Sequence, residues 1–127
     1  MCDGANEEDG AGRLRFQKLR ADPDVFELTQ IVARERGVSL TKLLRRTRGS
    51  GKAASARQLA IYLAHTVLGR PQDIVAELFG RKRSTIAHSV QALEDRRDRK
   101  SLEAEIARIE AVLEETRSPA GALRHAA

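Results

Sequence analysis

The chain has 127 residues, of which 41% are hydrophobic but only 3% aromatic, and it carries a single Cys. This length fits one domain with terminal extensions, and a core of Leu, Ile, Val and Ala favours packed helices over a sheet sandwich. Cys2 alone excludes an intramolecular disulfide, and no run is apolar enough for a membrane span or patterned as a signal peptide, which predicts a cytoplasmic protein.

The net charge of +5 is unevenly distributed. Residues 39–88 hold ten Lys or Arg and two acids, a balance of +8. Residues 1–38 hold six bases and eight acids, and residues 89–127 hold seven and eight, so the two flanks together contribute −3. A basic middle third is typical of a protein that binds a polyanion.

The N-terminal third predicts an arm followed by two helices. Residues 1–20 are predicted to be a disordered and then basic arm. Asp22-Pro23-Asp24 signals a helix start, and Gly37 a helix end. The inward stripe of this helix is Val25, Leu28, Ile31 and Val32. Ser39 can cap a short helix over residues 40–46, with Leu40, Leu43 and Leu44 inward.

Residues 45–52 form a basic loop that ends in Gly-Ser-Gly-Lys. A phosphate loop would need Gly in place of Arg46, Ser or Thr in place of Ala53, and a preceding strand, so nucleotide binding is rejected. Two interpretations remain open. The loop contacts a DNA backbone or minor groove through Arg46, Arg48 or Lys52, or it is simply solvated.

Ser55 and Gln58 have the spacing of a capping box, which predicts a helix start at Ser55. The helix is apolar around most of its circumference and should be the most buried one, ending at Gly69. Its apolar residues are Leu59, Ile61, Tyr62, Leu63, Val67 and Leu68. Arg57 would lie in an exposed first turn, where a cation opposes the helix dipole; it either binds an anion there or is merely exposed.

Residues 70–90 have the pattern of a helix-turn-helix, whose second helix lies in the DNA major groove. Pro71 suits a first helical turn, and Gly80 suits a left-handed helix end. Small side chains at Ala76 and Gly80 suit a close helix crossing. Ser84 can cap the second helix. The inward positions are Ile74, Val75, Leu78 and Phe79 in the first helix, and Ile86, Val90 and Leu93 in the second.

Hydrogen-bond donors cluster at the turn and at the start of the second helix, where bases and phosphates would lie. They are Arg81, Lys82, Arg83, Ser84, Thr85 and His88. The run from residue 94 to residue 100 has mixed charge and is predicted to be a solvated face. Ser101 can cap a last helix. Its stripe of Leu102, Ile106, Ile109 and Leu113 is either a packing seam against the domain or a contact with a partner helix.

The segment from about Val25 to Arg97 resembles the C-terminal DNA-binding domain of the bacterial replication initiator DnaA. Three stretches carry the resemblance: VSLTKLL from Val38, ASARQLAIYLA from Ala54, and FGRKRSTIAH from Phe79. The resemblance implies an all-α, Trp-repressor-like helix-turn-helix bundle. It also implies recognition of short DNA boxes at replication origins.

Carried over by position, Arg57, Arg81, Thr85 and His88 match the family pattern, and Ser84 keeps the hydroxyl of the usual Thr. Arg48 falls near the family's minor-groove arginine, with Arg46 and Lys52 as alternatives in a loop one residue longer. The chain departs from the family at three positions. Lys82 replaces Asp, Arg83 replaces His and Ala56 replaces Pro. Lys and Arg favour guanine or phosphate, so the preferred box is expected to change.

These observations predict three segments: an arm (1–20), a helix-turn-helix domain (21–98) and a C-terminal helix with a frayed tail (99–127). The expected function is double-stranded DNA binding at initiator-type boxes, regulating replication initiation or transcription. We expect a nucleoid-associated, non-enzymatic monomer or weak dimer without ATPase activity, metal or cofactor. The alternative is a modulator that contacts the replication initiator or its regulators and binds DNA weakly.

Overall fold

The computed structural model describes residues 17–45 and 51–117, and all regular structure in them is helical. The helices are α1 (Pro23–Arg36), α2 (Leu40–Leu44), α3 (Gly51–Thr66), α4 (Gln72–Phe79), α5 (Arg83–Arg96) and α6 (Lys100–Arg117), and residues 17–20 add a helical turn. The all-α prediction is therefore confirmed. The predictions for residues 1–16, 46–50 and 118–127, including the disordered arm, the frayed tail, Arg46 and Arg48, lie outside the described residues.

Helix α3 is the centre of the fold. Every residue from Leu59 to Ala64 is buried, and α1, α2, α4 and α5 all pack against α3. A helix that is apolar all round needs neighbours on every side, and the four surrounding helices supply them. The prediction that α3 is the most buried helix is confirmed.

Helix α1 begins and ends where the sequence predicts. Asp22 is its N-cap and accepts a hydrogen bond from the Val25 N–H (3.3 Å), and Pro23 opens the helix. Gly37 ends it in the left-handed conformation (φ 66°). Ser39 caps α2 through the Lys42 N–H (3.2 Å). Local capping chemistry thus fixes both ends of α1 and the start of α2, whereas α2 ends at Leu44, before the predicted residue 46.

The predicted capping box at Ser55 is wrong. Helix α3 already begins at Gly51, so Ser55 lies in its second turn, where its Oγ accepts a hydrogen bond from Nη1 of Arg36 (2.8 Å). Ala53 and Ala56 are buried. Alanine is the strongest helix former, and burial of these two side chains extends the helix one turn beyond the predicted start.

Helix α6 packs against α1. This packing decides between the two predicted roles of its apolar stripe. Leu102, Ile106, Ile109 and Leu113 are all buried, so the stripe is a packing seam within the chain, not a partner contact. Ion pairs flank this seam: Arg36 with Glu105 (Nε–Oε2 2.5 Å) and Arg108 with Glu35 (Nη2–Oε1 2.8 Å). The predicted cap at Ser101 is wrong, because the helix begins one residue earlier, at Lys100.

The run from residue 94 to residue 100, predicted to be a solvated face, includes two residues that bond to the buried Tyr62. The buried Tyr62 donates its hydroxyl proton to Glu94 Oε1 (2.6 Å) and accepts a hydrogen bond from Arg97 Nη1 (2.8 Å). Arg97 also pairs with Glu103 of α6. Burial of Tyr62, together with the Glu94 carboxylate, raises its pKa above the ordinary value. These bonds join α3, the end of α5 and α6 at one point.

Asp22 provides a test of capping and pairing together. Its carboxylate is bound by Arg70 (Nε–Oδ2 2.6 Å), which lowers the pKa of Asp22 below its ordinary 3.8. We expect Asp22→Ala to reduce the free energy of unfolding by about 1–2 kcal/mol, because the cap and the pair are both lost. Asp22→Asn keeps a capping oxygen and loses only the charge.

The stabilisation that comes from a lowered pKa is present above pH 3.8 and disappears as the pH falls below it. Urea unfolding should therefore show the wild type more stable than Asp22→Asn at pH 7, with the difference shrinking toward about pH 2.5. A difference that is constant across this range would contradict the Arg70 pairing.

Candidate nucleic-acid interface

A tight turn joins α4 to α5. Gly80 adopts the left-handed conformation (φ 63°), and the N–H of Arg81 donates to the carbonyl of Ala76 (2.9 Å). Arg81 and Lys82 then lead directly into α5. The predicted helix end at Gly80 is confirmed, whereas Pro71 lies at the N-cap, one residue before α4 begins.

Two packing details of α4 and the turn after it differ from the prediction. Val75, Leu78 and Phe79 are buried, but Ile74 is 40% exposed, because it lies in the first turn at the edge of the buried stripe. Gly80 has no atom within 4 Å of the position that a Cβ would take. The turn requires glycine for its positive φ and not for a close helix crossing.

Helix α5 begins at Arg83, so Ser84 is not its N-cap. Lys82 is the cap residue, and its carbonyl accepts the N–H groups of Thr85 (3.0 Å) and Ile86 (3.2 Å). The inward stripe is confirmed, since Ile86 and Leu93 are buried and Val90 packs against the core. No side chain caps this helix, and its first turn contains no acid.

The predicted donors at this corner lie together and face outward. Lys82, Arg83, Ser84, Thr85 and His88 are exposed, and Arg81 is half-buried. Helix α6 packs on α1 and does not bury them. A helix N-terminus with flanking cations, no side-chain cap and no acid in its first turn is electrostatically suited to an anion.

Two arginines bind the carbonyl of Arg45, the last described residue before residues 46–50. Arg57 Nη1 donates to Leu43 O (3.1 Å) and Arg45 O (3.4 Å), and Arg81 Nη2 also donates to Arg45 O. Arg57 is thus half-buried in the second turn of α3, and its predicted place in an exposed first turn is wrong. These bonds place Arg45 beside the turn between α4 and α5.

Lys52 is exposed, as the predicted contact requires, but it lies in the first turn of α3 and not in a loop. Its ammonium lies over Gly37, 3.5 Å from where a Cβ would stand. Arg45 is absent from the predicted contacts, although it is exposed and its carbonyl accepts hydrogen bonds from Arg57 and Arg81. The paired arginines 45 and 46 in the sequence were the available signal for it.

Residues 26–93 match the family described as the bacterial dnaA protein helix-turn-helix. The chain belongs to this family. The match spans more than half of the chain and covers α2 to α4 entirely, with most of α1 and α5. The helix-turn-helix prediction is confirmed.

Two curated relatives are chromosomal replication initiator proteins DnaA. The protein from Thermotoga petrophila is 32% identical over 82 residues, and that from Thermotoga sp. strain RQ2 is 29% identical over 82 residues. Each alignment covers 65% of this chain but only 18% of the relative. No solved structure matches the chain. In the described ranges, no helix has the length and apolar character of a membrane span.

Gly80 allows a test of the turn. We expect Gly80→Ala to lower the free energy of unfolding by about 1–2 kcal/mol, because a Cβ at positive φ is strained even in open space. Gly51→Ala is the matched control: Gly51 has ordinary φ and open space within a helix, so Ala there should be neutral or stabilising. Equal urea midpoints for the two variants would contradict this account of the turn.

Proposed function

We propose that this protein binds double-stranded DNA with α5 in the major groove. The observation that carries the proposal is the exposed set of donors at the uncapped start of α5 (Lys82, Arg83, Ser84, Thr85 and His88). Membership of the bacterial DnaA helix-turn-helix family supports it. The DNA sites are initiator-type boxes, and the protein regulates replication initiation or transcription without hydrolysing ATP.

The side chains divide by the part of the DNA that each can reach. Ser84, Thr85 and His88 lie on the face of α5 that enters the groove, where they meet base edges. Lys82 and Arg83 stand at the helix end, within reach of guanine or of the flanking phosphates. Compared with the family's Asp and His, these two cations make binding more dependent on phosphate contacts and therefore on salt.

The arginines around the Arg45 carbonyl hold the second contact in place. Arg81 donates from Nη2 to that carbonyl, and we propose that the same guanidinium also contacts a phosphate. Arg57 is mainly a positioning residue, since it is half-buried and bonded to two carbonyls. Lys52, Arg46 and Arg48 then contact the adjacent backbone or minor groove.

We expect Thr85→Ala to weaken binding to an origin-box duplex by about 1–3 kcal/mol and to reduce the preference for the box over scrambled DNA. Arg81→Ala should cost a similar amount but affect both DNAs alike, because it removes a phosphate contact. Fluorescence anisotropy at physiological salt measures both effects. Wild-type affinity for both DNAs in the Thr85 variant would contradict a base contact.

The salt dependence tests the two cations at the helix end. Replacing Lys82 and Arg83 with Gln should lower the slope of log K against log salt by about 2, since each phosphate contact contributes about 0.9. The control is Arg96→Gln with Arg99→Gln, which removes two charges at the other end of α5. This control should leave DNA affinity and slope unchanged. If both double variants lose the same slope, binding reflects net charge and not this surface.

A further inference from the structure

A cleft of about 410 Å³ opens at the C-terminal end of α5. It lies between the end of α5, α1, α3 and the start of α6, away from the recognition turn. Four arginines line it, namely Arg36, Arg96, Arg99 and Arg108, and the lining contains one carboxylate, that of Glu105. Four positive charges against one negative give the lining a balance of +3.

Two of these arginines are used by the fold. Arg36 is bound at both ends by Glu105 (2.5 and 2.8 Å) and also donates to Ser55 Oγ (2.8 Å). Arg108 pairs with Glu35, which lies outside the cleft lining (Nη2–Oε1 2.8 Å). Glu105 is already paired with Arg36, so it does not offset the charge of the other arginines in the lining.

The other two arginines are not used by the fold. The exposed side chains of Arg96 and Arg99 form no hydrogen bond or ion pair with any residue in 17–45 or 51–117. They enter the cleft from the last turn of α5 and from the turn before α6. The Ser101 hydroxyl, on the same lining, adds a further donor.

We propose that this cleft binds a small anion carrying one or two phosphate groups, such as a pyrophosphate-bearing metabolite. Planar guanidinium groups match phosphate oxygens through paired N–H donors, and Arg96 and Arg99 present two such groups without a competing carboxylate. The volume is in the range of small-molecule sites. A separate small ligand fits the cleft better than the DNA read by Lys82 and Thr85. The 14 residues of α5 span roughly 20 Å, which places the cleft at the far end of that helix.

Inorganic pyrophosphate is the probe, titrated into the full chain without divalent cations at constant ionic strength and followed by calorimetry and by NMR amide shifts. We expect saturable 1:1 binding, with shifts at residues 96–102. Arg96→Gln with Arg99→Gln should weaken it about tenfold or more, whereas Lys82→Gln with Arg83→Gln should leave it unchanged. Arg96→Lys with Arg99→Lys keeps the charge but loses the paired donors. Its pyrophosphate affinity should lie between those of the wild type and the Gln double variant.

The same variants separate this proposal from DNA binding, on which it does not rest. Duplex DNA affinity should be unchanged by the Arg96 and Arg99 substitutions. Three results would overturn the proposal: no saturable binding by the wild type, equal loss in both Gln double variants, or a loss of DNA affinity in the Arg96/Arg99 variant as large as in the Lys82/Arg83 variant. The last result would assign the cleft to the DNA contact surface. Circular dichroism melting is the control for folding. We expect unchanged melting temperatures, because the substituted side chains are exposed and make no contact that stabilises the described part of the fold.

Discussion

The packing of α5 on the buried helix α3 is the contact on which the rest of the structure depends. Ile86 and Leu93 anchor the inner side of α5 and are buried. Each such side chain contributes roughly 1.5–3 kcal/mol when fully buried. Because this inner side is fixed at both ends, the positions between and beside the anchors are free to face outward. The polar surface of α5 is therefore set by the core rather than by any contact among the donors themselves.

Hydrogen bonding to Tyr62 secures the other end of the same helix. An unpaired buried phenol would cost about 1–3 kcal/mol, and Glu94 with Arg97 satisfies it. Since Arg97 also reaches Glu103, helix α6 is tied to the point where α5 ends. The C-terminal helix thus contacts the end of the helix-turn-helix through this ion pair, although the match to the family ends at residue 93.

Signals encoded locally were predictable from the sequence. The start of α1 at Asp22, its end at Gly37 and the turn at Gly80 follow from side-chain capping and from glycine's access to positive φ, which depend on a few adjacent residues. The predicted starts of α3 and α5 were wrong. Serine is a residue type that often caps helices, but neither Ser55 nor Ser84 occupies a cap position here. Burial of Ala53 and Ala56 against neighbouring helices decided the first boundary, and the local backbone bonds from Thr85 and Ile86 to the Lys82 carbonyl decided the second.

For the candidate site, the sequence indicates which exposed residues lie together at the start of α5 but not how more distant residues pack around them. Residues 82–85 are consecutive. Once the start of α5 is predicted, all four are expected in its cap and first turn. The convergence of Arg57 and Arg81 on the Arg45 carbonyl joins residues 12 and 36 positions apart, and no pattern in the sequence indicates it. Sequence periodicity can predict which face of a helix a side chain lies on, but it cannot predict which distant carbonyl accepts its hydrogen bond.

That shared carbonyl has a thermodynamic consequence. In the proposed complex, a phosphate bound by Arg81 would compete with the peptide oxygen of Arg45 for the same guanidinium, so DNA binding and the anchoring of Arg45 would be linked equilibria. Arg57 donates independently to the carbonyls of Leu43 and Arg45. The end of α2 is therefore held by two arginines, and in the proposed complex only one of them, Arg81, also binds DNA.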